Sequence, residues 1–237
     1  MRLAATARSR QRRRGGASLV AGSVLGALLL VGGIVYVGFV LWPRQLSEVP
    51  PDTPSVPVTI AGVVFNVPPA AIRQQVQRRS GAQDRLDLVF LWPSLDPPPS
   101  HPVRQPHVPA DEPQPLDRLF VTITGSDGTL PPAERMKTIY PRYTTGELRP
   151  EQDGLMVRAF GDGTPYKGED LVFDPSAPER FVARCSRAGA TPGICLVERR
   201  IGAAEIVLRF PRDWLSEWRE VAAKLDYLIA TLRPPQQ

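Results

Sequence analysis

Ala17 to Trp42 reads ASLVAGSVLGALLLVGGIVYVGFVLW, and no charged residue occurs anywhere from Gly15 to Pro43. At 1.5 Å per residue, a helix over that stretch measures about 39 Å, enough to cross a hydrocarbon core of about 30 Å with some tilt. The stretch therefore predicts a transmembrane helix over 17–42, and the rest of the chain is organised around it.

Six arginines (Arg2, Arg8, Arg10, Arg12, Arg13 and Arg14) and no acidic residue precede it, while Arg44 is followed by Glu48 and Asp52. Excess Arg and Lys on one flank marks the cytoplasmic side. The reading is a cytoplasmic arm over 1–16, with Arg12, Arg13 and Arg14 at the headgroups and Trp42 as the interfacial anchor on the far side. Orientation then places the bulk of the chain outside the cytosol, in the periplasm of a bacterium with two membranes. Signal-peptide cores run to about 7–15 apolar residues and end in a small-residue cleavage site. This core is longer and runs into Leu41-Trp42-Pro43-Arg44, which favours a retained anchor. Ser18, Gly22 and Gly26 fall one helical turn apart and would let two such helices pack closely, so a homodimer through the span is a possible partner arrangement.

The net charge of +5 and pI near 9.6 suggest a nucleic-acid binder until the charges are placed. Without the six arm arginines, 23 basic residues face 24 acidic ones. The predicted folded part is close to neutral, which argues against a duplex-binding face. Arginine outnumbers lysine 26 to 3, a bias pointing to a GC-rich bacterial genome.

Pro43, Pro50, Pro51, Pro54 and Pro57 make 43–57 a stiff extended tether. The remaining domain, 58–233, reads as α+β with a mixed or antiparallel sheet and about three helices. Val56 to Val67 predicts two short strands around Ala61-Gly62. Pro68-Pro69 opens a short helix over 70–79 with Ile72 and Val76 inward. Arg85–Trp92 and Leu119–Thr124 alternate as strands, and Leu130-Pro131-Pro132 opens a helix carrying Met136, Ile139 and Tyr140. Three strand-to-proline-to-helix junctions hint at duplication but are too short to establish a repeat. Nine prolines occupy 93–115, an exposed loop that also holds His101 and His107. Gly154–Phe160, Asp170–Phe173, Arg180–Cys185, Cys195–Ile201 and Glu205–Phe210 follow as strands. Trp214, Trp218, Val221, Leu225, Leu228 and Leu232 then form one stripe of a helix over 213–232.

Cys185 and Cys195 fall on facing strands in a compartment that the topology makes oxidising, so they are expected to form a structural disulfide; their spacing is not that of a CxxC redox site. His101 and His107, with Asp96, Asp111 and Glu112, lie in a proline-rich loop without a rigid support for metal, and no metal or cofactor is expected. Glu169, Asp170 and Asp174 form an acidic cluster beside Lys167 that reads as a solvated edge. Trp214, Trp218 and Tyr227 read as core before they read as a ligand wall. Arg199, Arg200 and Arg209 offer a small candidate anion-binding face.

The sequence carries no P-loop, GxGxxG or catalytic constellation. It favours a non-enzymatic accessory or assembly subunit of an envelope complex, in contact with the lipid bilayer and an envelope protein but not with nucleic acid. The Pro-rich loop is the expected contact surface. The alternatives are a membrane-tethered periplasmic hydrolase or envelope-ligand-binding enzyme, and a nucleic-acid-binding regulator acting through the arm.

Overall fold

The computed structural model describes residues 26–37, 53–99, 117–187 and 193–234. Two compact units divide the chain, Met1–Ser47 and Glu48–Gln237. In the first, residues 26–37 form a helix, α1, whose Leu28, Leu29, Leu30, Ile34 and Tyr36 are each more than 60% exposed. Among the described residues no helix is long and apolar enough to cross a membrane. The span expected over 17–42 extends past α1 on both sides, outside the described residues. Arg12, Arg13, Arg14, Ser18, Gly22 and Trp42 also fall outside them. Gly26 lies in α1, and a Cβ there would meet no atom within 4 Å.

The second unit has two sheets, and with α1 the described residues hold four α-helices, so the α+β expectation holds. A small sheet joins β1 (Val56–Ile60), β2 (Val63–Val67) and β3 (Gly81–Ala82) in the order β2-β1-β3. Ala61 and Gly62 turn the β1–β2 hairpin with φ of 48° and 80°, the left-handed pair that a tight two-residue turn needs.

The large sheet comprises β4 (Arg85–Leu91), β5 (Arg118–Gly125), β6 (Thr144–Pro150), β7 (Met156–Phe160), β8 (Glu169–Phe173), β9 (Val182–Ser186), β10 (Ile194–Ile201) and β11 (Ala204–Pro211). Its order is β4-β5-β11-β10-β9-β8-β7-β6, antiparallel throughout. Strand alternation sends Leu86, Leu88 and Phe90, Leu119, Val121 and Ile123, and Ile206, Leu208 and Phe210 to one inner face. The last helix, α4 (Trp218–Leu232), buries Trp218, Val221, Leu225, Leu228 and Leu232 in the same cluster, together with Val58, Ile60, Phe65 and Val67 of the small sheet. Two short helices, α2 (Pro132–Thr138) and α3 (Tyr140–Tyr143), lie with the second cluster, where Tyr140, Phe160 and Leu171 meet Met136, Ile139, Tyr166 and Phe173.

Three local expectations change. The helix over 70–79 is instead two single 3-10 turns, Pro69–Ala71 and Gln75–Gln77. Ile72 between them is extended and bridges Leu88, while Arg73 N–H donates to the Asp87 carbonyl at 3.0 Å. Ile72 is inward as expected, but Val76 is 73% exposed. Pairing with the edge of β4 satisfies backbone groups that a lone short helix would leave open. The final helix begins at Trp218, after a 3-10 stretch over Arg212–Glu217. Strand β6 was not expected, because TTGELRP neither alternates nor lacks breakers, and its ladder is irregular between Thr145 and Arg149.

The Pro-rich loop enters and leaves at one point. Leu91 pairs with Arg118, and Trp92 N–H donates to the Asp117 carbonyl at 2.8 Å. Trp92 stacks on Trp214 at 4.4 Å, and the Lys224 ammonium donates to the Pro93 carbonyl at 2.8 Å. The loop is thus a long insertion at the tip of the β4–β5 hairpin. Residues 100–115, with His101, His107, Asp111 and Glu112, lie outside the described set.

Candidate binding face

Outward alternation on the large sheet puts one charged residue after another on neighbouring strands: Glu205 on β11, Glu198 and Arg200 on β10, Arg184 on β9 and Glu169 on β8. Arg135 of α2 closes this ladder from above. Its guanidinium donates to Glu198 Oε1 at 3.1 Å and to Glu205 Oε1 at 2.9 Å. Arg200 donates to Glu205 Oε2 at 2.9 Å, and Arg184 to Glu169 Oε2 at 2.7 Å. The side chains of Arg135, Glu198, Glu205, Arg184 and Arg200 are between 11% and 17% exposed. Arg184 also lies over the Tyr166 ring at 4.8 Å.

Charges this buried must be paired, and three arginines against three glutamates balance. Burial alone would lower the Arg135 pKa, but Glu198, Tyr140 and Glu205 outweigh it and raise it. Burial first, then Glu198, pushes the Tyr140 hydroxyl far up, so it stays protonated and donates to Glu198 Oε2 at 3.4 Å. Among the described residues, the buried Nε–H groups of Arg135, Arg184 and Arg200 find no acceptor.

Beside this network a cavity of about 760 Å³ opens between α2 and the chain around β9 and β10. Pro131, Pro132, Met136, Pro178 and Val182 give it apolar walls, and Lys137, Glu179, Glu198, Arg199 and Arg200 supply polar groups. This volume falls within the usual range for small-molecule sites.

Two other polar clusters brace the sheet. Asp170, on the inner face in register with Cys185, accepts from Arg187 at 3.0 Å and Arg212 at 2.8 Å. Asp87 accepts from Arg85 through both oxygens at 2.8 Å, from Gln77 and Gln74 at 3.3 Å, and from Thr122 at 3.1 Å. These bonds, Arg85 foremost, hold its carboxyl below the usual carboxylate range.

The residues singled out from sequence are dispersed by the fold. Cys185 and Cys195 are joined, fully buried, as a directly opposed pair on β9 and β10. The acidic cluster is not one site: Glu169 faces Arg184, Asp170 faces Arg187 and Arg212, and Asp174 accepts from the Ser176 hydroxyl and N–H. The Ser176 hydroxyl, first of its causes, lowers the Asp174 pKa. The solvated-edge reading is corrected there, since Asp170 and Asp174 are buried. Arg199, Arg200 and Arg209 do not form one face either: Arg199 pairs with Asp226 at 3.5 Å, Arg200 with Glu205, and Arg209 with the Thr122 hydroxyl. Trp218 is core, its indole N–H donating to the Asp153 carbonyl at 3.0 Å, Trp214 stacks between Trp92 and Phe210, and Tyr227 is 66% exposed. Among the described residues no group of three His, Cys, Asp or Glu side chains is placed to hold a metal. The Arg135-centred network escaped sequence reading; its signal was charge at alternate positions of VERR, Glu198 and Arg200, with the single charge of Arg184 in VARC.

No protein-family description and no curated protein matches the chain. Among solved structures, it has a partial likeness to an immunity protein of the Stenotrophomonas maltophilia type IV secretion system, with a TM-score of 0.49 and 14% identity over 76% of this chain and 94% of that one. It also has a partial likeness to an iron-regulated outer membrane lipoprotein of Neisseria meningitidis, with a TM-score of 0.40 and 10% identity over 78% of this chain and 97% of that one. Likeness at this level concerns the path of the chain and carries no argument about chemistry.

Proposed function

We propose that this chain is a single-pass inner-membrane protein of a bacterial envelope, with its N-terminus cytoplasmic and its folded unit periplasmic, and that the folded unit binds another envelope protein. The observation that carries the reading is the buried Cys185–Cys195 bond, because structural disulfides persist in oxidising compartments. It agrees in direction with the six-arginine arm ahead of the apolar run. Binding is favoured over catalysis by what the buried carboxylates do. Asp87, Asp170, Glu198 and Glu205 are each held by arginine in ion pairs, which leaves them engaged within the fold.

The cavity beside α2 favours a second reading, in which the unit holds an envelope ligand. Its apolar walls with a few polar groups have the composition of a small-molecule site, which supports ligand binding.

Cross-linking of the intact protein in its own membrane, followed by mass analysis, tests both. A discrete protein adduct supports the first reading. A small molecule retained by the purified protein without any protein adduct supports the second, and the absence of both an adduct and a retained molecule defeats both readings.

A further inference from the structure

Among the described residues, the outer face of the large sheet has an incompletely covered strip. On one side lie α2 and its contacts with Glu198 and Glu205; on the other, Gln74 and Gln77 cap Asp87. Between them Phe120 of β5, Val207 of β11 and Leu196 of β10 are only half-buried, and Ile194 is 37% exposed. They share this face because Leu119, Val121, Leu208 and Val197 point the other way, into the core.

Three arginines surround Phe120. Arg73 lies over its ring, with the guanidinium carbon 5.0 Å from the centroid. Arg209 is its ladder partner on β11, donating to the Thr122 hydroxyl at 3.3 Å. Arg118 precedes it by two positions, on the same face. Among the described residues, neither Arg73 nor Arg209 has a carboxylate within 4.0 Å, whereas the nearby carboxylates are already engaged: Asp87 by Arg85, and Glu205 by Arg135 and Arg200. Arg118 has only Asp117 at 3.9 Å, an exposed contact that contributes little.

Resting on the reading that the unit binds an envelope protein, we propose that this strip is the docking surface and that its occupant is an acidic segment of that protein. Its carboxylates pair with Arg73, Arg209 and Arg118, while an apolar side chain rests on Phe120, Val207 and Leu196. Guanidinium forks match carboxylates bidentately, and an aromatic ringed by arginines has the composition of an interface hot spot. A flat bilayer surface is disfavoured as the occupant, because the strip lies between two covering elements.

The test places the photo-cross-linker p-benzoylphenylalanine at Leu196 of the full chain in its native membrane, with a second position at Tyr227 on α4. The expected result is a protein adduct at Leu196 whose mapped segment carries several Asp or Glu residues. The adduct should fall at least about tenfold when Arg73→Glu and Arg209→Glu are combined, a loss equivalent to about 1.4 kcal/mol. It should also fall in the milder pair Arg73→Gln with Arg209→Gln, and persist in Arg142→Glu, with thermal midpoints confirming that each variant is folded. A mapped segment without carboxylates, an adduct undiminished by either pair, or capture of lipid alone overturns the proposal. A protein adduct from Tyr227 with none from Leu196 overturns the strip but leaves partner binding standing. No protein adduct from either position removes both.

Discussion

Reduction of the Cys185–Cys195 bond is expected to loosen the large sheet at one seam. Strand β10 pairs with β11 over eight residues and β8 with β9 over five, but β9 and β10 share only two register pairs, one of which is the cysteine pair itself. The seam divides the sheet into four strands and four, and the disulfide crosses it. The loop it closes spans 10 positions, for which the chain-entropy relation gives about 2.7 kcal/mol at 25 °C. For a folded unit of this size, that corresponds to a fall in Tm of about 5–11 °C. The assay is thermal unfolding of the purified full chain with and without reductant, with thiol labelling to confirm reduction. Paired Cys185→Ala and Cys195→Ala should resemble the reduced protein. Paired serines should be worse by about 1–3 kcal/mol per uncompensated hydroxyl, because both sites are fully buried. Hydrogen exchange in the reduced protein should accelerate in β8 and β9 before β5 and β11. A Tm change below about 2 °C with both thiols free would refute the reasoning.

Three further outcomes follow from the packing and the charges. Glu198→Gln leaves Arg135 and Arg184 each short of a buried partner and should cost about 3 kcal/mol in urea unfolding, with a loss below about 1 kcal/mol counting against the network. Asp87 has a folded pKa lowered chiefly by Arg85, so its contribution is present above its unfolded value of about 3.9 and is lost as pH falls through the folded one. Asp87→Asn should therefore be less stable than the parent at pH 7, with the gap closing at lower pH in urea midpoints taken along a pH series. Trp218→Ala should cost about 3–5 kcal/mol, since it empties a core site 2% exposed and removes the donor to the Asp153 carbonyl.

Much of the sheet was legible because its inner face is so regular. RLDLVFL and AEIVLRF alternate cleanly, and the observed strands start or stop within a residue or two of their expected ends. The α4 stripe was legible for the same reason, and the opposed cysteines for their spacing across a hairpin. Local pattern failed where long-range pairing decided the outcome. Ile72 is drawn into extended backbone by the edge of β4, a partner no helical periodicity near 70–79 encodes. Strand β6 contains glycine and proline and, among the described strands, is held by β7 alone. The Arg135 network was hidden because its members lie as far apart in sequence as Arg135 and Glu205, and a charged residue at an alternate strand position normally reads as solvent-facing. Here α2 covers that face, and the same charges become buried partners.

The folded unit is proposed to face away from the cytosol. Parallel C-terminal fusions to alkaline phosphatase, which is active only after export to an oxidising compartment, and to green fluorescent protein test it most directly. An active phosphatase fusion and a dark fluorescent one are expected. A fluorescent fusion with an inactive phosphatase would contradict it.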